Sequence, residues 1–196
     1  MKATIVEKTP EAPTKLAERA DRQGRQVFLR YAQLSDSEAI WRWRQDMNVD
    51  FMRATSSPTL EEHMAWMAAA LKSPDRRLYI LEETVVTIEG APCRKSLGHL
   101  RLDVVGDGVG SVSSLLAPEA RGRGLGVTAL MSIEKPARDA GLHILIAEIH
   151  VGNSAALRAS VAAGYTETDR IGDFAQIVRE LYPQAIVSTE NPEHPT

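Results

Sequence analysis

Apolar and polar positions change period along this chain, and each change marks an element. Val27-Phe28-Leu29-Arg30-Tyr31 alternates around an apolar centre and reads as a first strand. Ser35-Asp36-Ser37-Glu38 has the spacing of a capping box, and Ala39, Ile40, Trp43 and Met47 then recur at helical intervals. Ser56-Ser57-Pro58 breaks the chain. Thr59-Leu60-Glu61-Glu62 opens a second helix to about Leu71, with Leu60, Met64, Met67 and Leu71 as its apolar stripe and His63 and Trp66 on a flanking face. Ser73-Pro74-Asp75 ends it. Residues 78–81 and 85–88 read as one long or interrupted strand, turned at Glu89-Gly90-Ala91-Pro92 and returned antiparallel over 97–105. Gly106-Asp107-Gly108 makes a further hairpin into a strand that closes with Ser113-Ser114-Leu115-Leu116-Ala117. Pro118 stops that strand by removing a backbone donor.

Gly124 and Gly126 start a run with Leu125, Ala129, Leu130 and Ile133 at helical spacing, and Pro136 predicts a kink or early end. Ile144-Leu145-Ile146-Ala147-Glu148-Ile149 follows Gly141 as a buried strand. Asn153-Ser154 caps a last helix carrying Ala156, Leu157, Val161 and Ala162, closed by Gly164. Residues 165–170 and 174–181 read as paired terminal strands. Residues 1–24 hold many charges, Pro10 and Pro13, and too few large apolar groups to offset the cost of ordering; they read as a tail with a short helix from Lys15 to Arg22. Pro183, Pro192 and Pro195 mark a second tail, 183–196. The order of elements predicts an α+β domain over 25–182, with a mixed central sheet flanked by helices.

Composition narrows the partners. With 196 residues, 43% of them hydrophobic, the chain can bury one substantial core but not two. A net charge of −3 and a pI near 6.0 argue against general binding to nucleic acid or anionic membrane. Cys93 is the sole cysteine, so no intrachain disulfide framework and no cysteine-based metal site is expected. The N-terminal 25 residues have no apolar core of a signal peptide, and no stretch reaches the length of a membrane span, so a cytoplasmic protein is expected.

The chemistry concentrates in Arg121-Gly122-Arg123-Gly124-Leu125-Gly126. Three glycines at alternate positions are a poor choice for a helix start, each costing about 0.5–1 kcal/mol inside a helix, unless something must approach the backbone. Amides from Gly122 to Gly126 that lack helical acceptors, aided by the helix dipole and by Arg121 and Arg123, make a cradle for a pyrophosphate. The spacing is neither that of a Walker loop, which ends in Gly-Lys-Ser/Thr, nor that of a dinucleotide fingerprint, whose third glycine lies one residue later. An ordinary glycine-rich turn with two solvated arginines remains the competing reading.

Arg121-x-x-Gly124-x-Gly126, followed by Asn153-x-x-Ala156 and Gly164-Tyr165, resembles the two signatures of the GCN5-related N-acetyltransferase (GNAT) superfamily. The resemblance implies a V-shaped splay between the strand before the glycine turn and the strand before the Asn153 helix, admitting the pantetheine arm of acetyl-coenzyme A. It implies a coenzyme site at Leu116, Ala117, Arg121, Gly122, Arg123, Gly124, Leu125, Gly126 and Asn153, with the Leu116 main-chain N–H as donor to the thioester oxygen. No metal is implied. Where many relatives place a tyrosine acid, seven residues after the asparagine, this chain has Ser160. It also lacks a carboxylate over 111–117, so candidates for the base are Glu148, His99 and Asp103, of which a histidine has the best-matched unperturbed pKa, about 6.5.

The stretch from Trp41-Arg42-Trp43-Arg44 through Phe51-Met52 to His63-Met64-Ala65-Trp66 is similar to the leading helices of amino-sugar N-acetyltransferases of the pseudaminic-acid pathway. That likeness implies a nucleotide-linked (UDP) amino sugar, with Arg44 meeting a phosphate and Trp66 offering a packing face beside His63. Partners expected are therefore a small-molecule amine and no nucleic acid or membrane, with homodimerisation open. An N-terminal amine acetyltransferase and a non-catalytic acyl-CoA sensor are the alternatives.

Overall fold

The computed structural model describes residues 15–21, 23–48, 51 and 57–181. The expectations for 1–14 and 182–196, for Met52 and for Ser56 lie outside them. In chain order the elements are β1 (Ala17–Ala20), β2 (Gln26–Tyr31), α1 (Ser37–Gln45), α2 (Leu60–Ala70), β3 (Arg76–Val86), β4 (Pro92–Gly106) and β5 (Val109–Leu116). There follow α3 (Leu125–Ser132), α4 (Glu134–Asp139), β6 (Ile144–His150), α5 (Ser154–Ala162), β7 (Thr166–Ile171) and β8 (Phe174–Glu180). The strands make one sheet in the order β1-β2-β3-β4-β5-β6-β8-β7, antiparallel throughout except between β5 and β6. This is the mixed sheet of the expected α+β fold.

Side-chain alternation sorts the molecule into two faces. On β3, Tyr79 and Leu81 join the larger buried cluster, with Leu100, Leu102, Leu145 and the α3–α4 residues Leu125, Ala129, Ile133 and Ala137. The intervening Leu78 and Ile80 pack on the other side with Ile40 of α1 and Met67 and Ala70 of α2. Helices α1 and α2 thus cover one face, and α3 and α4 the other. Trp43 touches both clusters and is a core aromatic.

Several elements differ from the expectations, each for a local reason. Of the stretch expected as a helix from Lys15 to Arg22, Ala17–Ala20 is instead the edge strand β1, paired antiparallel with β2 from Ala17↔Leu29 to Ala20↔Gln26, so four residues of the expected tail belong to the sheet; Arg22 lies outside the described residues. Sheet pairing there outweighs a weak helical preference. The first capping box is displaced: Asp36, not Ser35 with Glu38, closes the turn by accepting the Gln33 amide at 2.7 Å, while Glu38 pairs with Arg42 one turn on. The second box forms as expected, with Glu62 N–H donating to Thr59 Oγ1 at 3.2 Å and Thr59 N–H to Glu62 Oε2 at 2.8 Å. Its helix, however, buries His63, Met67 and Ala70 and leaves Met64 and Leu71 exposed, so the expected stripe is rotated about the axis. On α5, Val161 and Ala162 face solvent rather than the core, which takes Ser160 and Ala163. The expected kink at Pro136 is a break at Ile133, which puts the proline in the first turn of α4, where a missing N–H leaves no helical bond unmade.

Candidate active site

Two strands that begin as neighbours part company. β5 and β6 pair in parallel at Val109↔Ile144, Gly110↔Leu145 and Ser111↔Ile146, and no further. β5 runs on to Leu116 beside β4, and β6 to His150 beside β8, so a wedge opens between them. The Ala117 N–H donates to Leu97 O of β4 at 2.9 Å. Since successive amides of a strand point to opposite sides, the Leu116 N–H is directed away from β4, into the wedge.

The wedge belongs to a cleft of about 1080 Å³ that takes in Leu116, the glycine turn, Asn153 and the α1–α2 face. Gly122 and Gly124 hold left-handed conformations, φ 74° and 77°, which would cost another residue about 1–2 kcal/mol. They bend the chain so that Gly122, Gly124, Leu125, Gly126 and Val127 line the cleft, where the first amides of α3 have no acceptor in the helix. Ala117 and Leu125 are fully buried, and of the two only Leu125 lines the cleft, so the expected place of Ala117 in the coenzyme site is corrected: it packs in the core beneath the turn. Gly126 has a packing duty: a Cβ there would lie 3.1 Å from Ala159 Cβ, so its absence lets α3 approach α5. Asn153 caps α5, its Oδ1 accepting the Ala156 amide at 3.1 Å, and its amide nitrogen is left for a ligand. The backbone conformation, free amides and shape of this half fit a coenzyme A pyrophosphate and pantetheine arm.

The two arginines of the turn separate. Arg121 lines the cleft and is held at 2.5 Å by Asp46 and at 3.3 Å by Leu116 O. Arg123 does not; it turns to β3, where Glu83 takes it with both oxygens at 3.1 and 2.5 Å, with Asp21 a further 3.9 Å contact. The expectation of two cations beside the pyrophosphate is corrected to one. Burial explains the other: Glu82 and Glu83 of β3 are 3% and 4% exposed, and each needs a cation. Glu82 takes Arg30 at 2.8 Å, and Glu83 takes Arg123. Two adjacent buried carboxylates were the signal for this tether.

The candidates for proton transfer also separate. Ser160 is fully buried, and its hydroxyl donates back to Leu157 O at 2.8 Å rather than toward the cleft. His99 lies on β4 opposite Ile80 and Leu115, hence on the α1–α2 face. Burial, with Arg101 and His63 adding to it, pushes its pKa down to about 3, so the imidazole is neutral and too weakly basic to serve as the general base. Asp103 is occupied by Arg76 at 2.6 Å and Arg101 at 3.0 Å. Glu148 is exposed in the cleft, accepting the Gln176 amide at 2.7 Å. Because Leu145 and Ala147 of β6 pack with the α3 cluster, alternation puts Glu148 on the α1–α2 face.

On that face Arg44, His63 and Trp66 come together as expected. His63 is buried rather than flanking, 5.4 Å from the Trp66 ring, and its pKa is lowered by burial and by Arg44. Trp66 is half-buried, with the Arg76 guanidinium 5.9 Å from its ring. Arg101 joins them, and sequence reasoning missed it, although His99, Arg101 and Asp103 alternate along one strand and so share one face. Among the described residues no three His, Cys, Asp or Glu side chains group as metal ligands.

Comparison with solved structures finds the same fold. Spermidine N-acetyltransferase from Vibrio cholerae, in complex with CoA and spermine, superimposes with a TM-score of 0.67 at 15% identity, over 79% of this chain and 95% of that one. An aminoglycoside acetyltransferase with coenzyme A and kanamycin gives 0.61 at 20% identity, over 79% and 94%. yncA from Salmonella typhimurium, with its cofactor acetyl-CoA, gives 0.61 at 20%, over 81% and 96%. No curated protein matches the sequence significantly. The acetyltransferase (GNAT) domain family matches residues 26–166, most of the chain and both halves of the cleft. The chain therefore belongs to the GNAT family of acetyl-CoA-dependent N-acetyltransferases.

Proposed function

We propose that the amine acetylated by this enzyme belongs to a small nucleotide-linked amino sugar that enters from the α1–α2 face. One observation carries the direction of approach: the glycine turn and α3 lie on one face of the sheet, Trp66, His63 and Glu148 on the other, and the two meet at the wedge between β5 and β6. Acetyl-coenzyme A would be held by the main chain of Gly122, Gly124, Leu125 and Gly126, by Arg121 and by Asn153, and would supply the thioester carbonyl. The Leu116 N–H serves as donor to its oxygen, a role that asks nothing of the side chain. Glu148, an exposed carboxylate that lines the cleft, takes the proton of the attacking amine in place of His99. No side-chain acid is assigned to the leaving thiolate, since Ser160 is turned away. Trp66 offers the sugar its ring.

The test is acetyl transfer from acetyl-CoA to a UDP-linked amino sugar, to a peptide with a free N-terminus, and to no acceptor. The sugar should accelerate release of the coenzyme thiol well beyond the other two; acceleration by the peptide alone would replace this reading with an N-terminal acetyltransferase, and CoA binding without turnover would make the chain a sensor. Trp66→Ala should raise the acceptor KM and leave the coenzyme constant nearly unchanged.

A further inference from the structure

We propose that the α1–α2 end of the cleft is an oxyanion subsite, in which Arg44 and Arg101 bind a carboxylate or phosphate carried by the acceptor. The inference rests on the acetyltransfer reading for where the acceptor lies, and it names the acceptor's second recognition group.

Arg44, His63, Trp66 and Arg101 line the main cleft and also a second hollow of about 540 Å³ beside it, completed by Pro58 and Glu62. Side-chain nitrogen atoms without a hydrogen-bond partner among the described residues gather around these two hollows. Arg44 Nε, Arg101 Nε, both ring nitrogens of His63 and Nε2 of His99 are buried without a hydrogen-bond partner, and the His63 and His99 residues are only 1% and 8% exposed. Such groups are rarely left unpaired unless a ligand satisfies them. Arg101 has Asp103 Oδ2 3.0 Å away, but at an angle that leaves its Nε–H undonated, so the contact is electrostatic only.

The charge count points the same way. Asp103 is shared by Arg76 and Arg101, and Arg44 has no ion pair among the described residues. Glu62 bonds the Thr59 amide at the helix start. The cations thus outnumber the carboxylates at the bottom of the hollow. Two guanidinium groups with undonated N–H in a sheltered site suit a planar or tetrahedral oxyanion. They repel a polyamine such as the spermine of the structural neighbour, whose similarity at 15% identity reaches the fold and not the pocket.

The experiment uses the full chain with matched acceptors: glucosamine against its phosphate ester, and butylamine against γ-aminobutyrate, with spermidine as the polycation. First, CoA binding is measured by calorimetry. The member of at least one pair that carries the oxyanion should then have a KM lower by roughly tenfold or more, and the pair that responds tells phosphate from carboxylate. Raising the ionic strength from about 0.05 M to about 0.5 M should erode that preference, a readout that needs no variant. Arg44→Gln should abolish it without altering the CoA affinity, and Arg44→Lys should restore part of it. A wild-type enzyme that binds CoA but prefers the member without the oxyanion, or spermidine, overturns the subsite and leaves the acetyltransferase reading intact. A preference unmoved by salt and by Arg44→Gln also overturns it. Absence of CoA binding would overturn the acetyltransfer reading and this inference with it.

Discussion

Glu83 on β3 grips Arg123 of the glycine turn with both carboxylate oxygens, at 3.1 and 2.5 Å, and so ties the coenzyme half of the cleft to the sheet. The pair is largely sheltered, with 6% and 17% of the two side chains exposed. Removing one partner of a buried pair strands the other's charge, at up to about 3–5 kcal/mol. Glu83→Gln should therefore lower the melting temperature and weaken CoA binding about tenfold through the displaced turn. Arg121→Gln, by contrast, should weaken CoA binding with little change in melting, since Arg121 is exposed. Calorimetry and thermal melting on both variants check the division of labour; the reverse pattern would exchange the two roles.

Gly124→Val should reduce CoA affinity at least about tenfold, because a β-branched residue resists the left-handed backbone that aims the α3 amides at the ligand. Gly126→Val should act differently. Its side chain meets Ala159 at the α3–α5 contact, so the first loss is in stability. Unchanged affinity in a folded Gly124→Val enzyme would remove the cradle from the glycine turn.

Tyr165→Phe should leave kcat within about tenfold of the wild type. The hydroxyl is buried without a partner, and burial pushes its pKa up, which leaves it poorly suited to giving up a proton. Ser160→Ala should be equally mild, because its hydroxyl serves Leu157 O. A fall in kcat above about 100-fold in either variant, the scale of a lost general acid, would place the proton donor there.

Stability should fall as the solution is acidified. His99 has an ordinary pKa of 6.5 when unfolded and about 3 in the folded chain, so below 6.5 the unfolded state binds the extra proton. The contribution is complete above pH 6.5 and declines as the pH drops toward 3, at about 1.4 kcal/mol per unit. His63, lowered by burial and Arg44, shifts in the same direction. Denaturant unfolding at pH 7.5, 6, 5 and 4 (the assay conditions, roughly spanning the titration) measures the slope, and His99→Gln should flatten it. An equally steep slope in the variant would assign the effect to other groups.

What the sequence by itself determined is local. Alternation located most of the strands, Thr59 with Glu62 started α2, Asn153 capped α5, and the spacing of Arg121, Gly124 and Gly126 marked a turn in which Gly122 and Gly124 adopt left-handed backbone. These features depend on a few neighbouring residues and their hydrogen bonds, so a linear reading reaches them. The tertiary structure decided which face each side chain serves. It made residues 17–20 a strand because β2 offered a free edge, and it rotated α2 to bury His63 beside the Trp66 ring. It also sent Arg123 to a buried Glu83 forty positions earlier while leaving Arg121 in the cleft. Two arginines two residues apart look equivalent in sequence; burial of a distant carboxylate distinguishes them, because a charge taken out of water must find its opposite and that cost is set only once the chain has folded.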